Sequence, residues 1–458
     1  HPRDRARHRR RSPVSKLFGT DGIRGVANED LKPALAHSLG RALASRLAGP
    51  GGRILVGQDT RRSGDMLVAA LMSGGTSAGA DVHALGVCPT PALAHVTAVG
   101  DYAVGDMVSA SHNPAEDNGL KVLSGKGLKL DDEMEDELET LIIRSEELGS
   151  PRNDALGRVV DARHDMRHYL EHRLGLARTI GSDLRLHVDC ANGSASAVAG
   201  EILAAAGASV TTHYDRPDGS NINRACGATV PETLAAVVAE QGGDVGFSLD
   251  GDADRCVAVD ERGEVVDGDQ LLGIIALDRL ARGALAEDTM VVTILSNGGL
   301  ARAVEEAGGR VLRTKVGDRY IVDSMLVSGA GLGGEKSGHV IVREHTTTGD
   351  GIVTALEILD ILARSGRPLS ELAARIPLDP QEQRAVRVKS KEWRADRVLA
   401  DAVAAAEAEM EGEGRVVVRP SGTEPRLRVM VEGRDEARVL RLADDLAALA
   451  SERLNREQ

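Results

Sequence analysis

Aromatic residues are scarce in this chain: Phe, Tyr and Trp together make up 2% of its 458 residues. The core must therefore be built from Ala, Val, Leu and Ile, aliphatic residues that are often fully buried. No stretch of the sequence approaches the ~20 consecutive apolar residues of a membrane-spanning helix. We therefore do not expect a transmembrane segment or a membrane partner.

Cysteine is also scarce, with 4 residues in the chain. None of them stands in a Cys-x-x-Cys pair; they are Cys88, Cys190, Cys226 and Cys256. This spacing argues against a zinc site, and reduced cytosolic thiols are then the default. The sequence therefore predicts a cytoplasmic protein.

Positive charge is in deficit. The chain has 56 basic and 70 acidic residues, which gives a net charge of −14 and disfavours nucleic acid as a partner. An anionic substrate would then need basic residues placed locally. The first residues are basic but have no apolar segment, so they are not a secretory signal. We expect residues 1–15 to be a disordered tail or an artefact of the chain's start, with a nucleic-acid-binding arm as the alternative.

Glycine, by contrast, is abundant, with 52 residues, which fits tight turns and loops that approach a ligand closely. The length suggests three or four domains of roughly 100–150 residues each. An apolar strand, a polar turn and a helix follow one another three times, beginning at Arg53, Leu184 and Thr289. This alternation predicts α/β units with largely buried sheets. We place these three similar units at residues 16–160, 161–265 and 266–376.

A Pro-containing segment, residues 376–381, is typical of a linker. Pro restricts its own backbone and that of the preceding residue, which discourages a helix from continuing. An alternating strand pattern near Ala385, two further strands and two helices follow. They predict a smaller α+β domain at residues 377–458, which a linker of this kind would allow to move against the others.

Three aspartates form the clearest cluster of chemistry-bearing residues. Asp250, Asp252 and Asp254 follow an apolar strand, and their alternation would turn all three carboxylates of an extended loop toward one ion. Hard carboxylate oxygens suit Mg²⁺. The glycine of this loop stands at a different position from the glycine of an EF-hand loop, and the later Glu of an EF-hand is missing. A surface turn or a weak Ca²⁺ loop is the alternative.

A serine at the exit of a strand is a candidate phosphate carrier. Ser111 has His112 beside it, which favours covalent phosphoryl chemistry, although Ser111 taken alone fits a helix N-cap better. Lys121 lies in the same segment and would neutralise phosphate or, if buried, act as a general acid or base. The alternative for Lys121 is a solvated surface charge.

A polar loop near the end of the chain has the residues of a phosphate site. Arg419 can bind a phosphate through two parallel hydrogen bonds. Ser421, Gly422 and Thr423 would add donors in a nest-like loop, and Arg428 on the next strand would reach the same anion. A plain hairpin turn is the alternative.

A further loop matches a sugar rather than a phosphate. Glu335 and Ser337 offer an acceptor and a hydroxyl to sugar hydroxyl groups. His339 is a candidate general base, and an ordinary capping or core histidine is the alternative.

These four loops, together with the segment Phe18–Gly25 near the start, follow one another in the order typical of one family. The chain resembles the α-D-phosphohexomutase superfamily from about Lys16 to Glu432, and most closely its branch that acts on glucosamine phosphates. One such motif would be weak evidence, but five in order are specific. The resemblance implies an α/β, four-domain, heart-shaped architecture, with three similar mixed-sheet domains and a smaller α+β C-terminal domain.

The resemblance also implies residue roles. Ser111 would carry a phosphoryl group in the resting enzyme, and one of its phosphate oxygens would join the three aspartates around one Mg²⁺ per subunit. Glu335 and Ser337 would hold sugar hydroxyls. The implied catalytic residues around the transferring group are Arg24, Ser111, His112, Lys121, Arg255 and His339. The implied ligands of the non-reacting phosphate are Arg419, Ser421, Gly422, Thr423 and Arg428.

The implied reaction interconverts glucosamine 6-phosphate and glucosamine 1-phosphate through a 1,6-bisphosphate, on the route to UDP-N-acetylglucosamine and cell-wall synthesis. Glucosamine 1,6-bisphosphate or another phosphoryl donor would prime Ser111. The partner is thus a small phosphosugar, and a homodimer is usual among bacterial relatives. Lys336 and the segments 316–320 and 346–351 favour the glucosamine branch. The alternatives are a phosphomannomutase/phosphoglucomutase and a non-catalytic phosphosugar sensor.

Overall fold

The computed structural model describes residues 16–19, 21–421 and 425–455. Within these ranges the chain forms four β-sheets with helices packed against them. The first three sheets mix parallel and antiparallel pairs, and the fourth is antiparallel. This confirms three mixed α/β units followed by a smaller α+β unit. The predicted tail, residues 1–15, lies outside the described residues.

The first unit has a six-stranded sheet in the order β1-β5-β4-β2-β3-β6. Its strands are β1 Ile23–Val26, β2 Arg53–Gln58, β3 Asp81–Val87, β4 Val104–Val108, β5 Asp117–Ser124 and β6 Val159–Asp161. Its helices are α1 Pro33–Leu43, α2 Ser63–Ser77, α3 Thr90–Val99 and α4 Asp132–Ile143. Gly40 lets α1 approach α2 closely, since a Cβ there would lie 2.2 Å from the carbonyl oxygen of Leu71.

The second unit has a five-stranded sheet in the order β11-β10-β9-β7-β8. Its strands are β7 Arg185–Asp189, β8 Ser209–His213, β9 Val245–Leu249, β10 Cys256–Val259 and β11 Val265–Val266. Its helices are α5 Met166–Ala177, α6 Ala199–Ala204 and α7 Glu232–Gln241. The strand β9 is buried along its whole length, as a central strand covered on both faces should be.

The third unit has a four-stranded sheet in the order β13-β12-β14-β15. Its strands are β12 Thr289–Thr293, β13 Arg310–Thr314, β14 Leu332–Gly334 and β15 Val340–Val342. Its helices are α8 Gly268–Ala281, α9 Gly298–Glu306, α10 Asp318–Ser328, α11 Gly351–Ser365 and α12 Leu369–Ala373. Strand β12 ends at Thr293, where the chain turns toward α9.

The fourth unit has a three-stranded sheet in the order β16-β18-β17. Its strands are β16 Gln381–Arg387, β17 Gly414–Pro420 and β18 Arg426–Gly433, and its helices are α13 Arg397–Glu409 and α14 Glu436–Leu454. The final residue of the expected linker, Gln381, begins β16. Both helices begin at an aspartate whose side chain accepts a backbone N–H, Asp396 for α13 and Asp435 for α14.

The hydrophobic cores separate the fourth unit from the rest. One aliphatic core runs continuously through the first three units, and a second covers the other face of the first sheet. The core of the fourth unit is built only from its own residues, Val388 to Leu454. The four cysteines are buried and unpaired. No helix in the described ranges has the length and hydropathy that crossing a membrane requires.

Candidate active site

Ser111 lies in the loop between the antiparallel strands β4 and β5. It is 1% exposed, and its hydroxyl donates a hydrogen bond of 2.5 Å to Asp250 Oδ2. Its φ of 52° lies in the left-handed region, which a residue with a Cβ rarely adopts. His112 follows, with Nδ1 3.3 Å from Ser111 Oγ. The structure thus brings the serine and the acidic loop together, although they are 139 residues apart in the chain.

The three aspartates follow strand β9 and converge. One carboxylate oxygen from each of Asp250, Asp252 and Asp254 lies within 4.8 Å of the other two, and all three residues are buried. The loop is a tight turn with Ala253 at φ 58°, which differs from the extended loop expected. The turn places the side chains on one side because it bends the backbone around them.

The donor set of this cluster fits a hard cation. Asp252 Oδ1 and Asp254 Oδ1 are buried and have no hydrogen-bond partner among the described residues. Burial and the charges of Asp254 and Asp252 raise the pKa of Asp250 well above its ordinary value. A bound cation would coordinate these oxygens and offset the repulsion between the three carboxylates. We therefore assign the three aspartates as a candidate metal site.

Two lysines balance the carboxylates. Lys121 is 3% exposed, and its Nζ lies 2.7 Å from Asp252 Oδ2 and 3.3 Å from Asp21 Oδ2. Burial lowers the pKa of Lys121, but the carboxylates beside it outweigh burial and raise that pKa above its ordinary value. Lys129 binds Asp21 as well and lies 2.8 Å from Asp318 Oδ1. Lys121 is therefore a fixed positive charge at the site, and the surface-charge alternative for it is wrong.

Two arginines flank the serine and aspartate loops. Arg24 binds Asp21 and donates to the carbonyl oxygen of Ala110 and to Asn113 Oδ1, each at 3.3 Å. Arg255 donates its backbone N–H to Asp250 Oδ1, while its buried side-chain Nε has no hydrogen-bond partner among the described residues. That Nε lies 3.8 Å from Asp254 Oδ1, and a largely buried guanidinium of this kind is suited to bind an anion.

The predicted sugar loop faces two other parts of the site. Glu335 Oε1 accepts the backbone N–H of Gly317 at 3.2 Å, and Ser337 Oγ lies 3.4 Å from Glu335 Oε2. The charge of Glu335 acts on the pKa of Arg255 and on that of Arg419. The Glu335 carboxylate is therefore near enough to both arginines to raise the pKa of each.

His339 is packed behind the metal loop. It is 3% exposed, its Nε2 accepts the backbone N–H of Gly349 at 3.0 Å, and its Nδ1 lies 3.7 Å from Asp254 Oδ2. This geometry suits His339 to orient Asp254, which is a different task from the general base expected of it. The general-base role stays a prediction.

The C-terminal loop joins strands β17 and β18. Arg419 and Arg428 are directly opposite each other on these strands, and burial together with Arg428 lowers the pKa of Arg419. Two cations held side by side attract an anion. Ser421 is buried and its carbonyl oxygen accepts from Lys391 Nζ at 2.7 Å. Gly422 and Thr423 lie outside the described residues.

Several residues of the site were missed in the sequence. Thr90 donates to Asp252 Oδ2 at 2.6 Å, and Asp21, Lys129 and Asp318 form the ion pairs described above. Asp21 stands inside the Phe18–Gly25 motif, which was a usable signal. Thr90 and Lys129 carry no comparable signal, since a Thr at a helix start and a Lys after a turn are ordinary surface residues.

Four family models match the chain in order. They describe phosphoglucomutase/phosphomannomutase alpha/beta/alpha domain I at residues 15–148, domain II at 167–263, domain III at 267–378 and the C-terminal domain at 384–449. The chain belongs to the phosphoglucomutase/phosphomannomutase family. This confirms the expected four-domain phosphohexomutase architecture, while the domain boundaries chosen from the sequence stay predictions.

Within this family the chain is similar to enzymes named phosphoglucosamine mutase. It is 51% identical over 440 residues to that of Symbiobacterium thermophilum, which covers 95% of this chain and 98% of the relative. It is 49% identical over 442 residues to that of Moorella thermoacetica, with 96% and 100% covered. The chain is thus an enzyme of the mutase, or isomerase, class.

Solved structures share the fold. A phosphoglucomutase/phosphomannomutase family protein from Burkholderia thailandensis superposes with a TM-score of 0.81 at 27% identity, covering 96% of this chain and 98% of that one. Aspergillus fumigatus N-acetylphosphoglucosamine mutase, in complex with GlcNAc-6P and magnesium, superposes with a TM-score of 0.66 at 20% identity, covering 95% of each chain. At that identity the second likeness is one of fold alone.

Proposed function

We propose that this chain interconverts glucosamine 6-phosphate and glucosamine 1-phosphate by intramolecular phosphoryl transfer. The observation that carries the proposal is the hydrogen bond from the Ser111 hydroxyl to Asp250, inside a buried three-aspartate cluster with Lys121 beside it. This arrangement combines a nucleophile, a cation site and a fixed positive charge. The amino sugar as substrate is supported by relatives at 45–51% identity that are named phosphoglucosamine mutase.

Mg²⁺ is the cation proposed for the three-aspartate cluster. The unpartnered buried oxygens of Asp252 and Asp254 support direct bonds to a hard ion. Asp250, Asp252, Asp254 and a phosphate oxygen on Ser111 would hold it. When bound, the ion would neutralise negative charge on the transferring phosphoryl group.

Ser111 is proposed to carry the phosphoryl group in the resting enzyme. Transfer breaks the bond between phosphorus and Ser111 Oγ and forms a bond from phosphorus to a sugar hydroxyl oxygen. The proton of that hydroxyl passes to a base, and Ser111 Oγ takes up a proton and becomes a hydroxyl again; the return transfer reverses both proton movements. The product is a 1,6-bisphosphate. After the bisphosphate turns end for end, the phosphoryl group at its other position returns to Ser111, and the product monophosphate leaves.

The side chains around Ser111 supply positioning and charge, which phosphoryl transfer needs most. Burial and the charge of Arg255 lower the pKa of His112 to about 4, so its imidazole is neutral near pH 7. With Nδ1 3.3 Å from Ser111 Oγ, His112 is placed to accept or return the hydroxyl proton. Lys121, Arg24 and Arg255 would balance the charge of the phosphoryl group.

The rest of the substrate is proposed to bind between the third and fourth units. Glu335 and Ser337 would accept and donate hydrogen bonds to the sugar hydroxyls. Arg419, Arg428 and Ser421, with Gly422 and Thr423, would bind the phosphate that is not reacting. Because each phosphate must occupy both sites in turn, a fourth unit with its own core would bind and release one phosphate during each cycle.

The test is a coupled assay with the 6-phosphates of glucosamine, glucose and mannose, run on wild type, Ser111→Ala and Ser124→Ala. Ser124 is a partly buried serine at the end of β5 and serves as the control. We expect glucosamine 6-phosphate to be turned over best, a phosphate adduct in the intact mass of wild type, and neither in Ser111→Ala. Preference for another hexose, or more than a few per cent of activity in Ser111→Ala, would contradict the proposal.

Priming, assembly and location complete the proposal. Dephosphorylated enzyme is expected to start with a lag that shortens as glucosamine 1,6-bisphosphate is added, and a full rate without primer would point to direct transfer. The homodimer is tested by light scattering at several protein concentrations. The cytoplasmic location is tested by cell fractionation.

A further inference from the structure

Two side chains from different units bind the same pair of carbonyl oxygens in the serine loop. Arg61 Nη2 donates to the carbonyl oxygens of Ser111 and Asn113, at 2.9 and 2.8 Å. Asn223 Nδ2 donates to the same two oxygens, at 2.8 and 3.0 Å. Arg61 belongs to the turn between β2 and α2, and Asn223 to the loop between β8 and α7 of the second unit. The backbone of the nucleophile is therefore fixed from two sides.

Arg61 also connects to the amide side of Ser111. Its side chain is fully buried in an ion pair with Asp59, with 2.9 Å between Arg61 Nε and Asp59 Oδ2. The same Asp59 oxygen accepts the hydroxyl of Ser109 at 2.6 Å, and the oxygen of that hydroxyl accepts the backbone N–H of Ser111 at 2.9 Å. The Asp59–Arg61 pair therefore orients the backbone N–H of Ser111 through Ser109 and its carbonyl oxygen directly.

Asn223 connects the serine loop to the unit that carries the metal loop. The loop around Asn223 packs on the first unit, where the backbone N–H of Arg62 donates to the carbonyl oxygen of Gly219 at 2.9 Å. Gly251, in the metal loop, leaves no space for a side chain: a Cβ there would lie 2.6 Å from the carbonyl oxygen of Ser111 and 2.9 Å from Asn223 Nδ2. The serine loop, the metal loop and the Asn223 side chain are therefore in direct contact with one another.

We infer that Asn223 and Arg61 are positioning residues that hold Ser111 in its left-handed conformation, with Oγ directed at Asp250. Non-glycine residues keep such a conformation only where surrounding contacts enforce it. Without the hydrogen bonds from Asn223 and Arg61, the Ser111 backbone would relax toward an ordinary conformation and Oγ would move away from the metal loop. This inference rests on the proposed function, since it assigns how the nucleophile of that reaction is aimed.

The test compares wild type with Asn223→Ala, Asn223→Asp and Arg61→Lys. The controls are Asn221→Ala, an amide in the same loop that bonds only within its loop, and Arg62→Ala, an exposed neighbour of Arg61. We expect Asn223→Ala to lower kcat about tenfold to a hundredfold with KM within twofold, as for other misplaced reacting groups. Asn223→Asp should lower kcat further because a carboxylate would face two carbonyl oxygens. Arg61→Lys keeps the charge but loses the several N–H donors of the guanidinium group, so it should also lower kcat.

Hydrogen exchange gives a readout that is independent of activity. The backbone amides of residues 109–113 should exchange faster in Asn223→Ala and Arg61→Lys, while strands β2 and β4 stay as protected as in wild type. Equal kcat and equal loop exchange in Asn223→Ala would overturn the inference, as would faster exchange throughout the first unit together with a matching loss of folded protein. If wild type turns over no hexose phosphate, the proposed function is overturned instead. The exchange result alone then decides whether Asn223 and Arg61 hold the Ser111 backbone.

Discussion

At the scale of single residues, one buried carboxyl group stands apart from the site. Asp106 is fully buried in strand β4, and neither of its carboxylate oxygens has a hydrogen-bond partner among the described residues. Its neighbours on the same strand face, Val104 and Val108, belong to an aliphatic core. Burial raises the pKa of Asp106 well above its ordinary value, so the folded protein keeps a proton that the unfolded chain releases above about pH 4.

Asp106→Asn is expected to stabilise the protein. Because the folded pKa is raised, the stability associated with Asp106 is present at low pH and is lost as pH rises through the folded pKa. Asn has nearly the same shape and does not ionise, so the free energy of unfolding at pH 8 should rise by about 1–3 kcal/mol. The gain should shrink toward pH 4. Urea unfolding of both proteins at pH 5 and pH 8 measures it, with the exposed Asp101→Asn as control; equal gains at both pH values would contradict this account.

Removing the proposed metal is the second residue-scale prediction. Asp252→Asn takes one charge from the cluster and should weaken Mg²⁺ binding by at least tenfold, since a neutral amide is a poorer ligand for a hard cation. Chelator should abolish turnover by wild type, and added Mg²⁺ should restore it. Calorimetry with Mg²⁺ measures the affinity and circular dichroism checks the fold. Full activity in chelator would refute the metal assignment.

At the scale of secondary-structure elements, histidines gather where three units meet. His95 on α3, His172 on α5 and His345 after β15 have ring centroids 5.1 and 6.1 Å apart in succession. Arg173 on α5 lies among them, paired with Asp350 at the start of α11 at 2.9 Å. Burial first, and then the charge of Arg173, lower the pKa of His95 to about 4. Burial also lowers the pKa of His172, so the junction packs well only while the imidazoles of His95 and His172 are neutral.

This junction should be sensitive to acid. Because the folded pKa of His95 is lowered, its contribution to stability is present above the unfolded pKa of about 6.5 and is lost as pH falls toward 4. His95→Gln cannot be protonated and should flatten the decline of the unfolding temperature between pH 6.5 and pH 4.5. The exposed His164→Gln is the control. Parallel curves for wild type and His95→Gln would show that the junction is not the sensitive element.

Much of the element pattern was predictable from the sequence. Apolar strands followed by polar turns and helices identified β2, β7 and β12, and the motifs identified the loops of Ser111 and Asp250. The contacts of Thr90 and Asn223 were not predictable, because they join residues 162 and 112 positions apart in the chain and depend on how two units dock. In sequence, both residues are ordinary polar residues of a turn or a helix start.

At the scale of the whole molecule, the fourth unit is attached through a small set of buried charges. Glu432 on β18 is 1% exposed and accepts from the backbone N–H of Gly298, at the start of α9, and from Gln381 Nε2, at 2.9 and 2.7 Å. It also pairs with Arg415 on β17 at 2.9 Å. Arg415 in turn donates to the carbonyl oxygens of Ile294 and Ser296 in the third unit. Since the fourth unit has its own core, these contacts set its orientation.

The sugar loop connects to the same contacts. Lys336 Nζ donates to Gln381 Oε1 at 3.1 Å, and Gln381 binds Glu432 through its other amide atom. A sugar bound at Glu335 and Ser337, as proposed, would therefore lie next to the residues that join the third and fourth units. Hydrogen bonds from Lys336 to Gln381 and from Gln381 to Glu432 thus link the loop of Glu335 and Ser337 to the fourth unit.

Glu432→Gln should loosen the fourth unit and leave the chemistry at Ser111 in place. The substitution keeps the shape of the side chain but removes the charge that faces Arg415 and the start of α9, where a negative group is favourable. Hydrogen bonds to charged groups contribute about 1.5–3 kcal/mol, so KM should rise about tenfold or more, with bisphosphate released during turnover. The phosphate content of Ser111 should stay at the wild-type level. Glu413→Gln, which removes an exposed pair with Arg438 inside the fourth unit, is the matched control. Small-angle scattering should show a broader distribution of interatomic distances for Glu432→Gln only, and wild-type scattering with wild-type KM would mean that other contacts orient this unit.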